Sequence, residues 1–352
     1  MKNNEIYLSD LTSSLKNAHV KLDLAFLSKL LQSASKSEFP HRNQEFAKII
    51  SCPINKTKKS AMTIKGWMTG YRTIPMSKLL KTLELSNYIW RDIEQNLISI
   101  KAGINHGEVK PKFPVMIDHK LGSIVGYILG DGSIDKKYSQ VFFSNSNIEL
   151  LIEFSTFMNK IFGVNPRIWV QKEANFDNTE WLGRVNDFNN IPNGHNVGLF
   201  YPKICGQMLH SICGKFAHGK TKKITSEIKN FDTDFKKGLI RAFFDSEGSV
   251  RSDCRTMRFY QDNRELLEEI RLMLEELGIT SHEIRYYVKR SKLRHYFNIT
   301  GFKHYYNYYH IIGCTSSRKA KEFELLITQV QNSKYFKKKF ALELPTSSNS
   351  PP

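Results

Sequence analysis

Apolar positions fall into two halves of different character. In the first 110 residues the pattern is helical. Leu22, Leu24, Phe26, Leu27, Leu30 and Leu31 are dense enough for a packed helix, and Phe46, Ile49 and Ile50 begin another. A polar, basic loop over 51–61 follows. Then come Ile64, Trp67, a Gly70 turn, Pro75, and Leu79, Leu80 and Leu83, which predict a short helix, a turn and a proline-initiated amphipathic helix. The expectation for 1–110 is a small all-α part that ends in a Gly-, Pro- and Lys-rich linker over 101–115.

Beyond residue 115 helical and strand periods alternate. Leu150, Leu151, Phe154, Phe157, Met158 and Ile161 predict one amphipathic helix; Leu266, Leu267, Ile270, Met273, Leu274 and Leu277 predict another. Between such helices the period drops to two. Arg167, Trp169 and Gln171 share one face against Ile168 and Val170. Arg285, Tyr287 and Lys289 share one face against Ile284, Tyr286 and Val288. Each sheet is expected to have an apolar back and a basic, aromatic front.

These two series are copies of one unit. LGSIVGYILGDGSI, from Leu121, aligns with KGLIRAFFDSEGSV, from Lys237, at a constant offset of 116. The register pairs Gly122 with Gly238, Gly126 with Ala242, Gly130 with Ser246, Asp131 with Glu247, Phe143 with Phe259 and Asn147 with Asn263. Further on it becomes 100, with Lys203 on Lys303, so the first copy holds about 16 extra residues. The polar stretch 172–197 is the expected site, as a long loop between strands. The division expected is 1–110, a first repeat over 115–235, a second over 236–330, and a disordered tail over 341–352.

Charge narrows the partner. The chain of 352 residues has 52 Lys and Arg against 34 Asp and Glu, a net +18, spread over both halves. Nucleic acid is the polyanion this favours. There is no apolar run of membrane-spanning length and no signal core at MKNNEIYLSD, so a protein that is intracellular and not secreted is expected. Five cysteines without a CxxC pair argue against a zinc site or a disulfide framework.

The repeated motif carries the chemistry. Small residues at 122, 126, 130 and at 238, 242, 246 lie on one helix face, where two helices can pack backbone to backbone. Each helix then ends in a carboxylate followed by glycine, Asp131-Gly132 and Glu247-Gly248. The glycine suits a helix stop. An acid at the negative end of a helix dipole costs about 0.3–1 kcal/mol, and two such ends brought together add repulsion. A divalent cation between hard oxygen ligands, Mg²⁺ beside phosphate, makes the pairing favourable.

Two resemblances rest on these residues. The 63–83 pattern resembles a helix-turn-helix, with Thr63, Lys65, Trp67, Met68 and Tyr71 on or just after the groove-entering helix and Arg72 beside it. The two motifs, their order and the HGKTKKI segment before the second resemble the LAGLIDADG homing endonuclease family over about 118–328. That resemblance implies an α+β fold, a pseudo-twofold pair of αββαββα units in a single-chain monomer, behind the small all-α helix-turn-helix-like part. It implies Asp131 and Glu247 as metal ligands, a polar residue near the hydrolytic water at Asn145 and Gln261, and basic groups at Lys220, Lys222 and Lys319, with Lys321 completing the offset of 99. Asp245 reads as a structural acid. Arg167, Trp169, Gln171, Arg255, Arg285, Tyr287 and Lys289, with Lys65 and Arg72, are the expected contacts to double-stranded DNA.

The function implied is a site-specific, Mg²⁺-dependent DNA endonuclease of homing type, cutting both strands of a long asymmetric target in the cytoplasm, nucleoid or a DNA-containing organelle. The chain begins with Met and ends in Pro-Pro without splicing residues, so a free-standing enzyme is expected rather than an intein. Two other readings stay open: a non-cleaving DNA-binding regulator on the same fold, and a maturase that binds intron RNA.

Overall fold

The computed structural model describes residues 4–51, 59–104, 106–137, 139–171, 181–191, 194–218, 221–289 and 291–332. At its centre two helices cross, His119–Leu129 and Thr233–Glu247. Each starts on an aspartate. Asp118 accepts from Lys120 N at 2.9 Å and Leu121 N at 3.1 Å, and Asp232 accepts from Phe235 N at 3.0 Å. Leu121 to Leu129 are buried without interruption, because this helix is covered on every side.

The small residues explain the closeness. A Cβ added at Gly126 would fall 2.2 Å from Leu239 O, and one at Gly238 would fall 2.0 Å from His119 O. Backbone meets backbone, as the four-residue spacing predicts. Larger neighbours turn outward into each repeat's own core: Tyr127 rests against Phe143 and Phe154, and Phe244 against Phe259, Tyr308 and Phe323.

Each motif helix feeds an antiparallel sheet, and the sheets share one strand order. The second has Gly248–Arg251, Thr256–Gln261, Lys292–Thr300 and Arg285–Lys289 side by side. The first has Gly132–Ile134, Val141–Asn145, Val197–Tyr201 and Arg167–Gln171, and then a fifth edge strand, Trp181–Val185. The extra residues of the first copy are therefore not simply a loop. Within the described part they form that edge strand and a single 3-10 turn, Phe188–Asn190; residues 172–180 and 192–193 lie outside the described residues. Helices Ile148–Phe162 and Lys203–Cys213 back the first sheet. Arg264–Glu276, Phe302–Ile311 and Ser317–Gln331 accompany the second. The expected α+β pair of repeats is the observed architecture.

The N-terminal part corrects the all-helical expectation. Strands Ile74–Pro75, His19–Leu22, Leu97–Lys101 and Glu108–Val109 form a four-stranded sheet among the helices. Leu22 closes a strand, and the helix begins at Leu24 after Asp23, whose carboxylate accepts from Phe26 N. The run from Leu22 to Leu31 thus joins two elements, and Asp23 is the punctuation between them. Strands Leu97–Lys101 and Glu108–Val109 pack on helix Lys203–Cys213. Glu5–Ile6 pairs with Val115–Met116, and Lys110 N donates to Phe162 O at 2.8 Å. The 101–115 stretch is threaded through the body, and one continuous core runs from Leu8 to Val330. No helix among the described residues is long and apolar enough to cross a membrane. The tail over 341–352 lies outside the described residues.

Candidate active site at the paired helix ends

Asp131 stands two residues past Leu129, and Glu247 is the last residue of its helix. The two ends are in contact: a Cβ on Gly130 would meet Ser246 Cβ at 2.4 Å and Glu247 Cγ at 3.6 Å. Neither following glycine adopts a left-handed conformation. Gly248 serves close packing instead, since a Cβ there would run into the Phe244 ring at 2.0 Å. The second motif helix does stop at Gly248, by close packing and without a left-handed turn, whereas the first stops already at Gly130.

Each acid has an amide partner at the repeat-equivalent position. Asn145 Nδ2 donates to Asp131 Oδ2 at 2.8 Å, and Gln261 Nε2 donates to Glu247 Oε1 at 3.4 Å. The amide oxygens are held in turn by backbone. Asn147 N donates to Asn145 Oδ1 and Asp262 N to Gln261 Oε1, both at 2.8 Å. The orientation of both carboxylates is fixed by the next turn of chain.

The cations differ in role. Lys222, half-buried, donates through Nζ to Gly130 O, the end carbonyl of the first motif helix, and its charge acts on both acids. Lys319 is buried at 4 % exposure and donates to Phe244 O at 2.6 Å and Asp245 O at 2.8 Å. It caps the second motif helix from within the core, and its charge still acts on Asp131. Burial pushes its ammonium down to about 8. Asp245 accepts from Thr315 N at 2.7 Å and Ser316 N at 3.4 Å, which is the structural role expected of it. Lys220 lies outside the described residues. Exposed Lys321 acts on Glu149, away from the two acids.

Burial, and then the charge of Glu247, push Asp131 up to about 7, although Lys222, Lys319 and Asn145 pull it back. Burial raises Glu247 as well, against Lys222 and Arg294. Two carboxylates that resist ionisation side by side fit a divalent cation between them. No group of three or more His, Cys, Asp or Glu gathers among the described residues. The pair would therefore leave most coordination positions to water and phosphate oxygens, which is the habit of Mg²⁺.

The sheet faces opposite the helices differ between repeats. On the second, Arg258 lies 4.3 Å over the Tyr296 ring and donates to Asn298 Oδ1 at 2.6 Å; Tyr260 and Tyr287 complete the cluster. Arg285 pairs with Tyr296 across the strands, and exposed Arg255 stands in the turn beyond. On the first, Phe142 packs on Phe200 at 4.8 Å beside Arg167 and Trp169.

Residues 118–204 and 234–313 match a protein family described as LAGLIDADG-like domain. Each matched segment falls on one of the two repeats. A DNA-directed RNA polymerase subunit, Rpo1C, of Methanocaldococcus jannaschii is 23% identical over 281 residues. That match covers 79% of this chain and 29% of the subunit, so the chain spans less than a third of its length. The homing endonuclease I-DmoI, solved with DNA and Mn, is similar at TM-score 0.38 and 16% identity, over 56% of this chain and 97% of that one. The N-terminal LAGLIDADG domain of DUF199/WhiA is similar at TM-score 0.36 and 15% identity, over 60% and 87%.

Within the two repeats one expected contact and two expected back-face residues change place. Gln171 is buried at 5 % exposure, and its Oε1 accepts from Asn196 Nδ2 at 3.0 Å, so it locks a strand instead of facing outward. Tyr286 and Val288, expected at the back of the second sheet, are exposed because their strand is an edge that overhangs the core. The side chain of Lys289 lies outside the described residues. In the N-terminal part Lys65 and Arg72 are exposed, whereas Trp67 is a core residue at 3 %. Sequence reasoning missed Arg294, which lies 3.4 Å from Asp262 and whose charge acts on Glu247. Its period-two spacing from Tyr296 was the available signal.

Proposed function

We propose that this protein is a metal-dependent DNA endonuclease that cuts both strands of an extended, asymmetric target. The observation that carries it is the mirrored pair Asp131–Asn145 and Glu247–Gln261 at two touching helix ends. Asp131 and Glu247 would hold Mg²⁺, which when bound supplies Lewis acidity to a phosphoryl oxygen and an acidified water. Asn145 and Gln261 orient the carboxylates, and Lys222 between them offsets charge built up on the phosphorus.

The two sheet faces supply the grip on duplex DNA. Arg167 and Trp169 act from the first, and Arg285, Tyr287, Arg294 and Arg255 from the second, mainly on phosphates. An arginine- and tyrosine-lined face beside a phenylalanine-lined one supports an asymmetric target and action as a monomer. Its place of work is then an intracellular compartment that contains DNA.

The test is cleavage of DNA that spans the gene's own insertion point, rejoined without the gene, with Mg²⁺ or EDTA. Mg²⁺-dependent double-strand cutting that is lost in Asp131→Asn and Glu247→Gln is the expected result. Tight binding without cutting would replace the proposal by a non-cleaving regulator. Preference for intron RNA over DNA would replace it by a maturase.

A further inference from the structure

Helix Lys59–Met68 runs into a turn whose hydrogen bonds leave it little freedom. Thr69 N donates to Lys65 O at 2.9 Å, Gly70 N to Trp67 O at 3.1 Å, and Arg72 N back to Gly66 O at 2.9 Å. Gly70 takes φ +74°, which this tight reversal requires. The stem of Arg72 lies along the bare helix backbone, since a Cβ on Gly66 would meet its Cδ at 3.1 Å. At the tip Tyr71 is 84 % exposed. A large aromatic on a rigid turn is a surface prepared for contact.

Behind the turn lies a cleft of about 660 Å³ with Lys21 and Lys101 on its sheet side. Glu108 also lines it, and Ser99 Oγ donates to its carboxylate at 3.0 Å. A second cleft, of about 460 Å³, is lined by the neighbouring residues His106 and Gly107. There His106 and Gly107 face Arg167, Phe200 and Lys203 of the first repeat. Arg167 and Phe200 belong to the DNA-facing sheet described above. Two clefts with basic linings thus lie on adjacent residues of the chain, and the second is lined in part by the first repeat's sheet.

We propose that the duplex leaving the first repeat continues past His106 and Gly107 onto the Tyr71–Arg72 turn, so that the N-terminal part and the repeats hold one DNA. This rests on the cradle reading. It sets the turn, and not the helix that carries the buried Trp67, against the duplex. Phosphates are met by Arg72, Lys21 and Lys101, with the Tyr71 hydroxyl beside them.

The test uses the full chain and labelled random-sequence duplexes of about 16 and about 40 base pairs, titrated at several salt concentrations. Tyr71→Ala with Arg72→Gln should weaken binding to the long duplex roughly tenfold and flatten its salt slope by about 1. The loss should be confined to the long duplex. Unchanged long-duplex affinity in this variant overturns the extension, and so does equal weakening on both lengths. The cradle is judged separately with Arg167→Gln and Arg285→Gln. If these leave both duplexes bound as before, the cradle reading itself falls. Both turn residues are exposed, and an unshifted melting temperature confirms that the variant is folded.

Discussion

Arg241, on the second motif helix, donates to Glu153, on the long helix of the first repeat, at 2.9 Å. The bond crosses the pseudo-twofold axis and has no mirror image, because the position equivalent to Arg241 is Val125. Tyr127 and Thr315 donate to the other Glu153 oxygen at 2.5 Å and 2.9 Å, and Ser123 accepts from Arg241 at 3.0 Å. Three segments converge on one carboxylate.

Removal of either partner should therefore cost more than a surface ion pair. Glu153→Gln and Arg241→Met are each expected to destabilise the fold by about 2 kcal/mol. The double variant should cost less than the sum, because neither partner is left stranded. Denaturant titration of the four proteins measures the coupling.

The helix crossing predicts a sharper contrast. Gly126→Ala places a carbon 2.2 Å from Leu239 O, a backbone atom that cannot step aside, and should cost at least about 3 kcal/mol or abolish folding. Gly183 has nothing within 4 Å of a Cβ, so Gly183→Ala should change the melting temperature by little. Equal effects would contradict the crossing.

Ionisation of Asp131 sets a pH dependence. In the unfolded chain this carboxyl releases its proton near the ordinary 3.8, and in the folded protein at about 7. Between those values the folded state holds the proton that the unfolded state has lost, so stability falls as pH rises. Asp131→Asn, which never ionises, should then be more stable than the unsubstituted protein at pH 8 in EDTA, by a few kcal/mol, and no more stable at pH 4. Thermal melts at the two pH values decide it.

Divalent metal should reverse that penalty. With Mg²⁺ at about 100 times its dissociation constant, stabilisation on the order of 2.7 kcal/mol is expected at pH 8. Asp131→Asn and Glu247→Gln should each lose most of this gain, since each removes one of two charged ligands. Differential scanning calorimetry with and without Mg²⁺ reads it directly.

The parts legible in the sequence are those that the repeat stated twice. Asp131 and Glu247, and the amides Asn145 and Gln261, share one offset, and they meet pairwise in the structure. The small-residue spacing foretold the crossing because only backbone approach explains it. What stayed hidden depends on contacts that spacing does not record. The two-residue strands Ile74–Pro75 and Glu108–Val109 are too short to show a period. Gln171 sits on the outward register of its strand yet is buried, because Asn196, just ahead of the neighbouring strand, closes over it. Lys319 is one lysine among many in its region, and only its partners Phe244 O and Asp245 O distinguish it.

The contact of Gly122, Gly126 and Gly238 with opposing backbone has a consequence for ancestry and for engineering. Side chains at an ordinary interface can drift together, each absorbing changes in the other. At these three places the nearest atom across the seam is backbone, so nothing there is available to absorb a change. The two repeats have been free to diverge in their sheets, to five strands and four, while the seam between them could not. A hybrid that joins one half to a half from another protein is bound by the same condition. It will assemble only if the incoming helix brings equally bare positions to the same three places.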